Sequence, residues 1–317
     1  MRAIVGDRPD PGCVGPASTP SRPPAITVTD PPTFDLQSHS LHSDGTLAPG
    51  DVVRAAASAG VELLAVSDHD TTAGTAEALA AGREAGIRVV PATEISALDA
   101  GRQDLHILGY RIDPQEPVLR AALERSRIDR GHRAAAMADA LRELGFLLDE
   151  ELLARRAAEG QSIGRPHLAQ AVTSVAANRG RLAAAGLLDP GAFLVAYLVE
   201  GRPAFRPRAA PSVEGAIRLI HGAGGIAIWA HPFWDIQQPD AVVSAIDRFR
   251  SAGLDGVEAF YVTHDEVQTR LLADRCAKLG LLTTGSSDFH GPQHRVFSRF
   301  RAFSTYGLEP ALGPIAA

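Results

Sequence analysis

The sequence predicts an α/β protein built on a parallel sheet or barrel, and three observations carry that prediction. Short apolar runs alternate with stretches of helical periodicity over most of the chain. Three of those runs end on clusters of histidines and carboxylates: Asp35-Leu36-Gln37-Ser38-His39-Ser40-Leu41-His42-Ser43-Asp44-Gly45, Ser67-Asp68-His69-Asp70 and Ser287-Asp288-Phe289-His290. The alternation breaks once, from about Pro114 to Leu198, where an Ala-, Arg- and Leu-rich stretch shows helical spacing and no convincing strand.

The elements follow in order. Residues 1–32 are rich in Pro, Gly, Ser and Thr, with proline pairs at 23–24 and 31–32; prolines remove backbone donors, so an extended or disordered segment is expected. A strand at 33–37 leads through the first cluster to a helix at about 49–60. Val61 to Ser67 is the second strand, followed by a helix from about 73 to 86. Arg88 to Thr93 is the third strand, ending on Glu94, and Asp104 to Tyr110 is the fourth, carrying His106. The barrel's first part is thus expected over 33–113 and a helical insertion, a lid over the site, over 114–200. Turns are expected near Gly145, Gly160-Gln161-Ser162, Gly180 and Asp189-Pro190-Gly191. Alternation resumes over 201–305: a helix at 211–223, a strand at 225–230 ending on His231-Pro232, a helix at about 238–252, a strand at 255–260, a helix at 265–279 and a strand at 281–285. Residues 306–317 are left as a tail.

Composition bounds the function. At 317 residues the chain buries a full core, and 45% hydrophobic with 21% charged residues is ordinary for a soluble globular protein. A net charge of −6 argues against a broad basic face, so stable binding of duplex nucleic acid is not expected. No apolar run reaches the roughly 20 residues that cross a bilayer. Two cysteines, Cys13 and Cys276, give neither a disulfide framework nor metal-finger spacing, which points to a reducing cytoplasm. The oligomeric state is left open.

The chemistry lies in convergence. His39, His69, His106, His231 and His290 all fall in or at the end of a predicted strand, and Asp44, Glu94 and Asp288 occupy similar places. In a parallel α/β protein the strand ends gather at one face, so these eight side chains are expected to meet there. Nitrogen and oxygen donors without cysteine suit borderline or hard divalent ions. One ion takes three or four protein ligands, so eight donors suit two or three, with a carboxylate such as Glu94 bridging a pair. Two ions about 3.5–4 Å apart hold a bridging hydroxide and neutralise a phosphate.

These motifs resemble the PHP family, named for polymerase and histidinol phosphatases. The resemblance covers roughly residues 33–305 and rests on Asp35-Leu36-x-x-His39-Ser40-x-x-Ser43-Asp44-Gly45, Asp68-His69-Asp70, the Glu of Pro91-Ala92-Thr93-Glu94-Ile95-Ser96, His106-Ile107-Leu108-Gly109, Ala230-His231-Pro232 and Gly285-Ser286-Ser287-Asp288-Phe289-His290-Gly291. It implies a distorted (β/α)7 barrel with two or three ions at the strand C-termini, Mn²⁺ first, Zn²⁺ or Fe²⁺ as alternatives. It assigns His39, Glu94 and Asp288 to a first ion, Glu94, His106 and His231 to a second, and Asp44, His69 and His290 to a third. Asp68 then orients a ligand or shares a proton. The family's first motif reads His-x-His, and here its first histidine is Gln37, whose amide oxygen is a weaker donor. That leaves three outcomes open for the first site: weakened, selective for a harder ion, or lost.

Ile163-Gly164-Arg165-Pro166-His167 resembles the branch acting on nucleoside 3′,5′-bisphosphates or short oligoribonucleotides, in which Arg165 and His167 would hold phosphate. His264, in Tyr261-Val262-Thr263-His264, would bind phosphate or protonate the leaving oxygen. Phe233-Trp234 is compatible with base stacking and with core packing, and neither role is assigned. The expected activity is hydrolysis of a phosphomonoester of a small nucleotide by a metal-bridging hydroxide. The alternatives are a nucleotide-binding or regulatory protein that kept the fold and lost the chemistry, supported only by Gln37, and a histidinol-phosphatase-like enzyme.

Overall fold

A computed structural model describes residues 32–99, 102–158, 161, 163–207 and 209–317. The N-terminal segment, its last residue excepted, and the turn residues Gly160 and Ser162 lie outside the described residues.

Seven strands follow one another in chain order around a nearly closed barrel. β1 (Phe34–Asp35), β2 (Leu63–Val66) and β3 (Arg88–Asp99) are parallel, as are β5 (Ile226–Trp229), β6 (Gly256–Tyr261) and β7 (Leu282–Ser286). Closure is made by backbone bonds from Leu36 N–H to the Gly285 carbonyl (3.1 Å) and from His39 N–H to the Phe289 carbonyl (2.8 Å). Asp35 ties the same seam from its side chain: one oxygen accepts from Ser287 N–H, the other from the Ser287 hydroxyl and Arg301 N–H.

One strand departs from the parallel expectation. β4 (Arg102–Tyr110) runs antiparallel to both β3 and β5. Only two residues separate Asp99 from Arg102, too few for the crossover that a parallel neighbour needs, so β3 and β4 form a hairpin. β3 accordingly runs past Glu94 to Asp99, and Glu94 lies within a strand, not at its end. In the hairpin register Ser96 faces His106, which puts His106 diagonal to Glu94 on one face. His106 therefore enters the site from the middle of an antiparallel strand.

The helices around the barrel follow from apolar stripes and caps. α1 (Pro49–Ser58) starts on a proline and buries Val52, Val53 and Ala56; α2 (Thr75–Ala85) buries Ala78 and Ala81 and ends on Gly86 at φ +72°, which residues with a Cβ disfavour. Both cover β2 together with Val61, Leu64, Val66 and Phe289. α8 (Val213–Gly222), capped by Ser212, α10 (Pro239–Ser251) and α11 (Glu266–Leu279), capped by Asp265, cover the other side with Ile217, Ile246 and Leu272. The C-terminal residues are not a loose tail: Ile315 is buried in the same core, and Arg111 donates to the Pro314 carbonyl.

Between β4 and α8 the chain is helical: α3 (Pro117–Glu143), α4 (Glu150–Ala158), α5 (Arg165–Thr173), α6 (Arg179–Ala184) and α7 (Pro190–Tyr197). The turn expected at Gly180 falls instead in the first turn of α6, because Ala176–Asn178 forms a 3-10 turn running straight into it. These helices share their own core of Met137, Leu141, Phe146, Leu168, Val172 and Phe193. α9 (Pro232–Asp235) is one short turn directly after β5.

Candidate metal centre and substrate cavity

Glu94 is the hub. Its Oε1 lies 2.9 Å from His106 Nδ1 and 3.2 Å from His231 Nε2; its Oε2 lies 3.1 Å from His39 Nε2 and 3.4 Å from His69 Nδ1. Burial opposes its ionisation, but His69 and His106 outweigh burial and hold the carboxyl well below its usual range. Asp288 Oδ1 stands 3.0 Å from His39 Nε2, while its other oxygen accepts from the Tyr261 hydroxyl at 2.7 Å. Burial again works against the charge, and His290 and His39 overcome it, bringing the Asp288 carboxyl to about 2. Asp44 closes the group, 3.4 Å from His290 Nε2, 3.6 Å from His39 Nδ1 and 3.7 Å from His69 Nε2. All eight donors expected from the sequence thus sit together.

Their local backbone is strained toward this arrangement. His231 (φ 30°) and Asp288 (φ 52°) occupy the left-handed region, uncommon for residues with a Cβ, each just past a strand end. Gly45 is required by close approach: a Cβ there would lie 2.1 Å from the His39 carbonyl oxygen, so any side chain would push the Asp44 loop off its place.

The donors fit divalent ions. His39 Nε2, His69 Nδ1, Asp44 Oδ1 and Asp288 Oδ1 are buried and face one another without a well-aligned hydrogen bond, an arrangement that a cation between them would satisfy. Among the described residues two groups have donor atoms within 4.8 Å of one another: His39, Asp44, His69 and His290, and His69, Glu94 and His106. His69 belongs to both, and His231 Nε2 lies 3.3 Å from His106 Nδ1 beside the second. The set is all nitrogen and oxygen, as borderline and hard ions require.

Gln37 and Asp68 are buried close by but point otherwise. Gln37 Nε2–H donates to Glu94 Oε2 (3.0 Å), and its Oε1 faces the Ser286 hydroxyl (3.4 Å). An amide nitrogen is no ligand and the oxygen is turned away, so in this arrangement Gln37 steadies Glu94. Asp68 accepts from Ser40 N–H, the Ser40 hydroxyl and the Ser43 hydroxyl, and does not line the cavity. Ser43 in turn stands 3.3 Å from His39 Nδ1, so Asp68 is tied to His39 through Ser43 and has no free oxygen for a proton transfer in the cavity.

Above the cluster is a cavity of about 190 Å³ whose far wall comes from the helical segment. Arg165 and His167 line it from the first turn of α5. His167 Nδ1 accepts from Gly164 N–H at 3.0 Å, so its hydrogen is on Nε2. Burial, reinforced by Arg156, lowers the ring to about 4, and His167 is a neutral donor at pH 7. Arg130 and Arg133 of α3 line the same wall, the first 2.6 Å from Asp70 Oδ2 and the second bonded to the Arg206 carbonyl (2.7 Å). Arg156 of α4 donates to the Ser43 carbonyl beside Asp44 (3.1 Å). Sequence reasoning missed these three arginines and Tyr261; the legible signal was Arg130 and Arg133, one turn apart beside the buried Ala134 and Met137.

His264 is not brought to the cavity lining. Its Nδ1 donates to the Ala259 carbonyl (3.1 Å), its ring lies edge-on to Phe233, and burial lowers it to about 4. Phe233 is buried and Trp234 is exposed at the cavity mouth.

The PHP domain pattern matches residues 35–151. A Chromobacterium violaceum 3′,5′-nucleoside bisphosphate phosphatase is 34% identical over 259 residues, covering 82% of this chain and 87% of the relative. A Haemophilus influenzae 5′-3′ exoribonuclease is 34% identical over 259 residues, covering 82% and 90%. An Eggerthella lenta phosphoribosyl 1,2-cyclic phosphate 1,2-diphosphodiesterase is 32% identical over 267 residues, covering 83% and 95%. Among solved structures, a C. violaceum protein described as an amidohydrolase with bound sulfate superposes with a TM-score of 0.75 at 32% identity, covering 85% of this chain and 91% of that one. A Bifidobacterium adolescentis protein put forward as a metal-dependent phosphoesterase gives 0.72 at 29%, covering 84% and 91%. With one third of its residues shared over four fifths of its length, the chain belongs to the PHP-domain family of metal-dependent phosphoesterases.

Proposed function

We propose that the protein removes a phosphate from a small nucleotide, a nucleoside 3′,5′-bisphosphate or the end of a short oligoribonucleotide, using two or three divalent ions with Mn²⁺ first. The observation that carries this reading is the cavity itself: His and carboxylate donors form its floor, and Arg130, Arg133, Arg165 and His167 line the wall facing them. A phosphate between the two would meet cations on both sides. The metal ligands are His39, Asp44, His69, Glu94, His106, His231, Asp288 and His290. Ions held there would supply Lewis acidity and make water a competent nucleophile near neutral pH.

The chain's own residues do the rest. Gln37 holds Glu94, Tyr261 holds Asp288, and Asp68 acts through Ser43 on His39, so the ligands meet incoming ions in a fixed geometry. Arg165 offers a planar fork to phosphate oxygens, and His167 offers a neutral Nε2–H. The helical segment, residues 114–200, acts as an inserted roof that limits access of water to the phosphate. The names of the C. violaceum and H. influenzae relatives support the nucleotide and oligoribonucleotide substrates.

The test is phosphate release from a panel of nucleoside 3′,5′-bisphosphates, mononucleotides and histidinol phosphate with Mn²⁺ added. Release from a bisphosphate that disappears in Asp288→Asn and in His231→Ala is the expected result. Full activity in both variants would remove the site assignment; no release from any substrate would transfer the weight to a binding protein.

A further inference from the structure

The cavity is lined by apolar as well as charged side chains. Met137, Ile163, Leu194, Trp234 and Phe297 add apolar surface to the same lining, Trp234 and Phe297 from outside the helical segment. Trp234 is 54% exposed, whereas Phe233 beside it is 4% exposed. The turn that carries Trp234 is rigidly seated, with Pro232, Phe233 and Ile236 buried and His231 immediately before it. Phe297 braces the indole from behind: its ring lies 5.7 Å away at 58°, and it packs in turn on His290 (5.4 Å) and His294 (4.9 Å). An exposed, braced indole three residues from a metal donor is a flat apolar face held at a fixed place relative to the phosphate position.

We propose that Trp234, backed by Phe297, is the platform on which the base of the substrate stacks, and that it makes the protein select purine over pyrimidine nucleotides. This rests on the reading of the cavity as a nucleotide phosphatase site. Stacking grows with the area of overlapping rings, so adenine gains more than uracil, and a sugar phosphate without a base gains nothing. Trp234 is thus a specificity residue with no part in the chemical step.

The chain has two tryptophans, Trp229 fully buried and Trp234 exposed, so fluorescence reads the platform directly. The Mn²⁺-loaded protein is titrated with AMP, UMP and ribose 5-phosphate. Quenching by AMP at lower concentration than by UMP, and none by ribose 5-phosphate, is expected. In Trp234→Ala, AMP binding by equilibrium dialysis weakens about tenfold, ribose 5-phosphate binding does not change, and Trp234→Phe restores AMP binding. Equal binding of AMP and ribose 5-phosphate, or equal loss of both in Trp234→Ala, overturns the proposal. Turnover of bisphosphates with the same KM in wild type and Trp234→Ala removes the platform and leaves the phosphatase reading standing. AMP-specific quenching in a protein that releases no phosphate keeps the platform and removes that reading.

Discussion

At the scale of single residues, Gln37 has the most to explain, because it stands where an imidazole is expected and yet is fully engaged. Its N–H fixes Glu94 Oε2, the oxygen that also faces His39 and His69. Gln37→Leu removes that restraint, and the affinity for Mn²⁺ should fall about tenfold, as for other residues that orient ligands. Gln37→His adds a stronger donor to the same corner, and more metal should survive dialysis against a chelator, measured by elemental analysis. Equal metal retention in all three proteins would show that position 37 does not act on the ions. The donor types were legible in the sequence, since His39, His69 and Asp288 sit in recognisable clusters. The direction of an amide was not, because it depends on Ser286 and Glu94, which are remote in sequence.

Elements hold these side chains through a few polar ties. The barrel seam depends on Asp35, which accepts from Ser287 and Arg301 and so fixes the backbone next to Asp288. Asp35→Ala leaves buried donors without an acceptor and should cost about 2–3 kcal/mol of stability in denaturant titration. Metal affinity should fall with it, since Asp288 loses its anchored neighbour. A second tie joins α3 to β3: Asp70 accepts from Ser96 and pairs with Arg130. Breaking a buried pair from one side is expensive, so Asp70→Ala should destabilise the protein by about 3 kcal/mol and loosen Arg130 in the cavity wall. A change under 0.5 kcal/mol would mean that the pair is not a tie between the two elements. Strand and helix positions could be read from apolar spacing and caps such as Ser212 and Asp265. The antiparallel β4 was not legible, because strands read as ending at Thr93 and starting at Asp104 hide the two-residue Asp99–Arg102 connection that the longer β3 creates.

At the scale of the whole molecule, the described residues form one compact unit in which eight donors from six strands and their loops crowd into one cluster. Without cations, crowded carboxylates and imidazoles that lack well-aligned hydrogen bonds oppose folding there. Chelation should therefore lower the unfolding temperature by several degrees, and Mn²⁺ should restore it, about 2.7 kcal/mol being gained at a hundred times Kd. An unfolding temperature indifferent to metal would argue that the cluster binds no ions. Among the described residues no helix is long and apolar enough to cross a membrane. The sequence by itself determined the donor types and, at β1, β2, β5 and β7, the strand ends that bear them, whereas Glu94 and His106 lie inside strands; donor type and period-two or helical spacing are local properties. It also marked the helical segment, through the loss of strand patterning over one continuous stretch. Only the tertiary structure decided that Arg130, Arg133 and Arg156 from that segment stand near the His and carboxylate cluster, that His264 stays out of the cavity lining, and that Trp234 is exposed while Phe233 is buried. Those are contacts between elements far apart in sequence, and the spacing of Arg130 and Arg133 beside Ala134 and Met137 marks a helix face without saying which surface that face will meet once the chain has closed.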